Sequence, residues 1–179
     1  MTNRVPLLLD VDGVVNVFGA GVDELRDRGF AAYDATSHDG YTYRLHVAPE
    51  TPGLIAELAE SFEIVWCTTW RNANDVIAPL LGLPGDLRQV WFPSQWLDVP
   101  FGLCRKTPMV AEWAREHGIR RLAWLDDEIS ESDTDALSNG WQSNRGWLTI
   151  EPLDDVLLLQ CDPGVGLTRE HTDRLRVWE

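Results

Sequence analysis

The chain has 179 residues, 44% of them hydrophobic, with 15 basic residues against 29 acidic ones and a formal net charge of −14. This length supports one domain with a sizeable core, and the charge argues against a broad nucleic-acid-binding surface while leaving room for a local basic pocket. No apolar run is long enough to cross a bilayer, so no membrane partner is expected, and Asp10 and Asp12 interrupt the only N-terminal stretch that could serve as a secretory leader.

Residues 5–11 form a short apolar run that ends in charge, the pattern of a buried strand. Residues 16–30 are glycine-rich and irregular, with room for one helical turn. Residues 31–47 read as a hairpin: Asp39-Gly40 is a turn signal, and Tyr41, Tyr43, Leu45 and Val47 alternate with polar residues. A helix follows over 51–62, with Thr51 as N-cap, Pro52 in the first turn, and Leu54, Ile55, Leu58, Ala59 and Phe62 on one face. Residues 63–67 make a second buried strand ending at Thr68-Thr69, a helix is expected around 74–81, and "QVWF" at 89–92 reads as a third strand. Thr107 and Pro108 open another helix that Gly118 stops. "RLAWLDDE" is a fourth strand ending in paired acids. A short helix near 133–138, one or two strands in "GWLTI" and "DDVLLLQC", and a C-terminal helix capped by Thr168 complete the chain.

Strands alternate with helices, and the strands are continuously apolar. This predicts an α/β fold with a parallel sheet covered on both faces, in which ligands bind beyond the carboxyl ends of the strands. Asp10 and Asp12, Thr68 and Thr69, and Asp126 and Asp127 all stand at such ends. If their strands are neighbours, four carboxylates converge. They then repel one another unless protons or a cation intervene. Magnesium suits hard oxygen ligands beside a phosphate. One carboxylate can then act as nucleophile and a second as acid and base, while a lysine and a hydroxyl hold the phosphoryl group. Lys106, at the start of a helix, and Thr68 are the candidates.

"LLLDVDGVVN" resembles the first motif of the haloacid dehalogenase-like (HAD) hydrolase superfamily, DxDGxx(N/T) after a buried strand. "IVWCTT" resembles the second motif, Lys106 suits the third, and "LAWLDD" resembles the fourth, in the family's order. "VWCTTWRNAN" and "CDPGVGLT" look most like a small group known as stand-alone proteins and as parts of bacterial RNA-repair proteins. The resemblance implies a three-layer Rossmann-like sheet, one domain over 1–179, and a magnesium-dependent phosphatase. Asp10 would be the nucleophile, forming an aspartyl-phosphate, and Asp12 the acid and then the base. The metal would be held by Asp10, the backbone carbonyl of Asp12, and the Asp126–Asp127 pair, with Asp127 the favoured contact. Thr68 and the amides around Val11 to Gly13 would bind phosphate, Gly13 permitting the turn. Asp12 favours phosphoryl transfer, since the dehalogenase branch lacks a second acid. The 17–48 insertion offers a loop and a small β-hairpin flap but no large cap domain. An open site of this kind suits a phosphorylated small molecule or a nucleic-acid end.

Alternatives stand beside these readings. Thr69 rivals Thr68, each able to cap the next segment, and Arg105 rivals Lys106. Trp70, Arg71 and Trp96 are substrate-binding candidates, for stacking and for a second phosphate, set against ordinary loop packing. His38 and His46 fall on the hairpin. Cys67, Cys104 and Cys161 form no CxxC pair, so buried thiols in a reducing cytoplasm are expected. A phosphotransferase, or a low-turnover binding module serving nucleic-acid processing, are the competing functions.

Overall fold

The computed structural model describes residues 4–93, 99, 102–143 and 148–179. In chain order the elements are β1 (Pro6–Leu9), α1 (Val22–Asp27), β2 (Ala31–Thr36), β3 (Thr42–Val47), α2 (Thr51–Ser61), β4 (Glu63–Trp66), α3 (Ala73–Val76), α4 (Ala78–Leu81), α5 (Thr107–Glu116), β5 (Arg121–Asp126), α6 (Glu131–Asn139), β6 (Trp141–Gln142), β7 (Thr149–Ile150), β8 (Asp155–Gln160) and α7 (Arg169–Trp178). The expected parallel sheet is present, in the order β4-β1-β5-β8.

Both faces of the sheet are covered, which explains its apolar strands. Leu7 and Leu9 point to one side, among Leu54, Ile55 and Leu58 of α2 and Leu175 of α7. Leu8 points to the other, in register with Val65 and Trp124 and packed with Val110 and Trp113 of α5 and Leu137 of α6. Each such leucine, fully buried, contributes about 1.5–3 kcal/mol relative to exposure. The two cores fix β1 in the middle of the sheet, and with it the residues that follow Leu9.

The hairpin forms as expected, Ala31 pairing with Val47 through to Thr36 with Thr42. Its loop is closed by Ser37 N–H donating to the Tyr41 carbonyl, with Gly40 at φ +88°. Only Ala35, Leu45 and Val47 of the ribbon are buried, so it projects as a flap with Tyr41 and Tyr43 in solvent. No helix among the described residues is long and apolar enough to cross a membrane.

Four local expectations differ. Residues 89–92 pair with the sheet through a single bridge, Gln89 with Trp66. Val90 and Phe92 are buried while Trp91 turns outward, and Pro93, with no N–H to donate, cannot extend the ladder. The helix expected at 74–81 is two short helices divided at Ile77, because Pro79 removes a helical hydrogen bond and its ring crowds the preceding turn. Thr51 and Thr107 are first helical residues rather than caps, with Glu50 and Lys106 in the cap positions. β7 falls within the strand expected in "GWLTI", but it pairs with β6, which the sequence did not mark, as a short antiparallel ribbon apart from the main sheet. Thr168 does cap α7, in a box with His171. Trp96 lies outside the described residues.

Candidate active site

Asp10 leaves β1 between β4 and β5, its N–H donating to the Leu125 carbonyl at 3.1 Å. The chain then turns sharply. The amides of Val15 and Asn16 close back on the Val11 carbonyl at 2.9 and 2.8 Å, and Gly13 adopts φ +76°. Glycine is required twice over. Beyond the positive φ, a Cβ at Gly13 would meet Asp127 Cγ at 2.3 Å. The loops after β1 and β5 therefore touch, and the acids they carry share one space.

That space contains three carboxylates and one ammonium. Lys106 Nζ donates to Asp10 Oδ2 at 2.5 Å and to Asp126 Oδ2 at 2.8 Å, and all three side chains are buried. Asp126 also accepts from the Trp124 indole at 3.2 Å and the Glu128 amide at 2.9 Å. Asp10 Oδ1 accepts from the Val11 amide at 2.7 Å. Burial pushes Asp10 up to about 7 despite Lys106, with Asp126 adding to the rise. Asp127, half-buried, is pushed up to about 6 by burial and by Asp126. Burial by itself disfavours the Lys106 ammonium, but Asp10 and Asp126 outweigh it and raise its pKa far above the ordinary range. One lysine cannot balance three carboxylates. One oxygen from each of Asp10, Asp126 and Asp127 lies within 4.8 Å of the others, a set of hard donors that fits a divalent cation.

Asp12 belongs to a different arrangement. Its Oδ1 accepts from Asn16 Nδ2 at 2.7 Å and its Oδ2 from the Trp70 indole N–H at 2.9 Å. Asn16 Oδ1 in turn accepts from the His46 amide of β3 at 2.9 Å, and Tyr43 meets the Trp70 ring edge-on at 5.5 Å. Both carboxylate oxygens of Asp12 are thus tied to groups that also hold the flap. Trp70 is 5% exposed, so it offers its N–H to Asp12 and almost no ring face to a ligand.

Thr68 and Thr69 separate in role. Thr68 is buried, its Oγ1 accepting from the Trp70 amide at 3.4 Å and its carbonyl accepting from Gln89 at 3.3 Å. Thr69 is exposed and lines a cleft of about 670 Å³ with Asp10, Asp12, Phe18, Lys106 and Asp127. Arg105 lines the same cleft from its rim, whereas Lys106 reaches the carboxylates. Val11 is buried beneath the turn. Arg71 is exposed, and its guanidinium stacks on Trp91.

Residues that the sequence did not single out hold this geometry. Asp133, wholly buried, accepts from the Ser130 amide at 2.8 Å and the Ser130 hydroxyl at 3.0 Å at the start of α6. It also accepts from the Cys104 amide at 2.8 Å and the Thr107 hydroxyl at 2.5 Å, which flank Lys106. Ser130 and Asp133 carry the spacing of a capping box, a signal readable in advance, though its reach to the Lys106 segment is not. Behind the first turn, the Leu167 amide donates to the Val14 carbonyl and the Phe18 amide to the Pro163 carbonyl, at 2.9 and 3.0 Å. The three cysteines are free and buried, and burial raises each thiol, Cys104 and Cys161 to about 12.

A family model described as the HAD domain in Swiss Army Knife RNA repair proteins matches residues 6–172. No curated protein and no solved structure matches the chain.

Proposed function

This chain belongs to the family of HAD domains in Swiss Army Knife RNA repair proteins, and we propose that it is a magnesium-dependent phosphatase working through Asp10 on a phosphorylated nucleic-acid end. The family supports a HAD-type hydrolase at the coarse level. The finer reading is carried by one observation: a buried carboxylate at the end of the central strand, held between the Lys106 ammonium and the Val11 amide, with Asp126 and Asp127 within ligand distance.

Asp10, Asp126 and Asp127 would hold magnesium, which when bound offsets the charge of the carboxylates and of the phosphoryl oxygens. Asp10 attacks phosphorus and forms an aspartyl-phosphate as the bond to the leaving oxygen breaks. Asp12 delivers a proton to that oxygen, then takes one from the water that attacks phosphorus in the second half. Phosphate leaves and the Asp10 carboxylate is restored. Lys106 holds positive charge beside the transferring group throughout. Thr69, at the cleft surface, is better placed to meet a phosphoryl oxygen than Thr68 beneath it. The open cleft and short flap accommodate a polymer end.

The test is phosphate release from an aryl phosphate, with and without magnesium, by the native chain and by Asp10→Asn. Magnesium-dependent release that disappears in the variant is expected. Equal activity in Asp10→Asn defeats the mechanism.

A further inference from the structure

Three pockets meet at Thr69. The first is the cleft over Asp10. The second, about 280 Å³, runs from Asp12 beneath the flap residues Ser37, His38 and Tyr43. The third, about 160 Å³, is bounded by His38, Arg71, Gln89 and Trp91. Thr69 lines all three, Asp12 the first two and His38 the last two, so the three adjoin one another along a groove walled by these residues, with Asp10 at one end and Trp91 at the other.

The far end of that groove has its own chemistry. Trp91 is 63% exposed although its neighbours Val90 and Phe92 are buried. Leaving so much indole in water forfeits the burial that its neighbours gain. Arg71 lies over the ring, its Cζ 4.6 Å from the centroid. The end of the groove therefore sets an exposed indole, with a guanidinium over one of its faces, on a chain of net charge −14.

We propose that this arm is a binding subsite for the nucleotide adjoining the phosphorylated terminus of a single-stranded oligonucleotide, its base stacking on Trp91 and its internucleotide phosphate meeting Arg71. The proposal rests on the phosphatase reading of Asp10. A sugar phosphate brings neither an aromatic ring nor a second anion. A mononucleotide brings the ring, but its one phosphate is committed at Asp10. A terminally phosphorylated dinucleotide brings both. The base must be unpaired, because a base inside a duplex offers no free face.

The probe is terminally phosphorylated dithymidylate, compared with an aryl phosphate, which has neither an adjoining base nor an internucleotide phosphate. In Trp91→Ala the ratio of kcat/KM for the dinucleotide to that for the aryl phosphate is expected to fall roughly 10-fold or more, since stacking on an aromatic side chain is sequence-tolerant and substantial. An unchanged ratio overturns the subsite. Equilibrium binding of the same dinucleotide to Asp10→Asn, with and without Trp91→Ala, decides the matter without turnover. A Kd roughly 10-fold weaker in the double variant supports the subsite, and equal values overturn it. If the native chain hydrolyses neither compound, the phosphatase reading fails, while the binding comparison still rules on the subsite.

Discussion

Trp70→Phe isolates what ties Asp12 in place. The substitution keeps a ring in the same buried slot and retains its edge contact with Tyr43, but deletes the N–H that donates to Asp12 Oδ2 at 2.9 Å. A hydrogen bond to a charged group contributes about 1.5–3 kcal/mol. Asp12 is partly open to solvent, and water can replace some of that, so the lower end applies. About 1.4 kcal/mol in the transition state is about 10-fold in rate. The assay is kcat/KM for an alkyl phosphate and a nitrophenyl phosphate, because this ratio reports phosphoryl transfer to Asp10 and excludes the later hydrolysis step. The alkyl oxygen leaves only with a proton, whereas nitrophenolate leaves without one. The loss is therefore expected on the alkyl ester and should be slight on the aryl ester. Equal losses on both, or none on either, would mean that Trp70 only packs the loop, and the argument that it positions the acid fails.

Two further outcomes follow from the buried charges. Asp10 titrates near 7 in the native state, against an ordinary 3.8, so between about pH 4 and about pH 7 the folded chain holds a proton that the unfolded chain has lost. The stability this proton contributes is lost as pH rises through that window. In metal-free buffer the melting temperature of Asp10→Asn should climb relative to native from about pH 4 to about pH 7 and level off above, with a slope of at most about 1.4 kcal/mol per pH unit; a difference that is flat with pH refutes the assignment. Asp133→Ala strands the Cys104 amide and the Thr107 hydroxyl in the interior and removes the acceptor of the Ser130 amide. A loss of about 3 kcal/mol is expected, a fall of roughly 6–12 °C in Tm for a chain of this size, accompanied by lower activity as the Lys106 segment loosens. A shift under about 2 °C shows that those donors find other partners.

The legible part of the fold was the part governed by local pattern. The apolar runs at 5–11, 63–67 and 121–126 read as buried strands, and with those strands neighbours Asp10, Asp126 and Asp127 at their ends converge. The rest depended on contacts distant in sequence. Residues 89–92 have strand composition, but Trp91 faces solvent and the pairing stops after Gln89. Thr107 has the character of a cap, yet its hydroxyl serves Asp133, 26 residues on. Trp70 invited a stacking role; that its N–H points to Asp12 is set by the flap packed over it, which no local spacing encodes. Asn16 stood in plain view inside the first motif, but its link to the His46 amide needed the hairpin in place.

The position of β1 carries a consequence for the order in which the molecule is made. β1, which Asp10 follows, is made before either of its sheet neighbours, the first being residues 63–66 and the second residues 121–126. The turn after Asp10 is braced later still, by Pro163 and Leu167. Non-local pairing of this kind is slow to form, because the intervening loops must close before any contact repays their entropy. A nascent chain therefore carries Asp10 with neither Lys106 nor Asp126 and Asp127 beside it until β5 has been made, and the acids and the lysine come together only once β5 has joined β1.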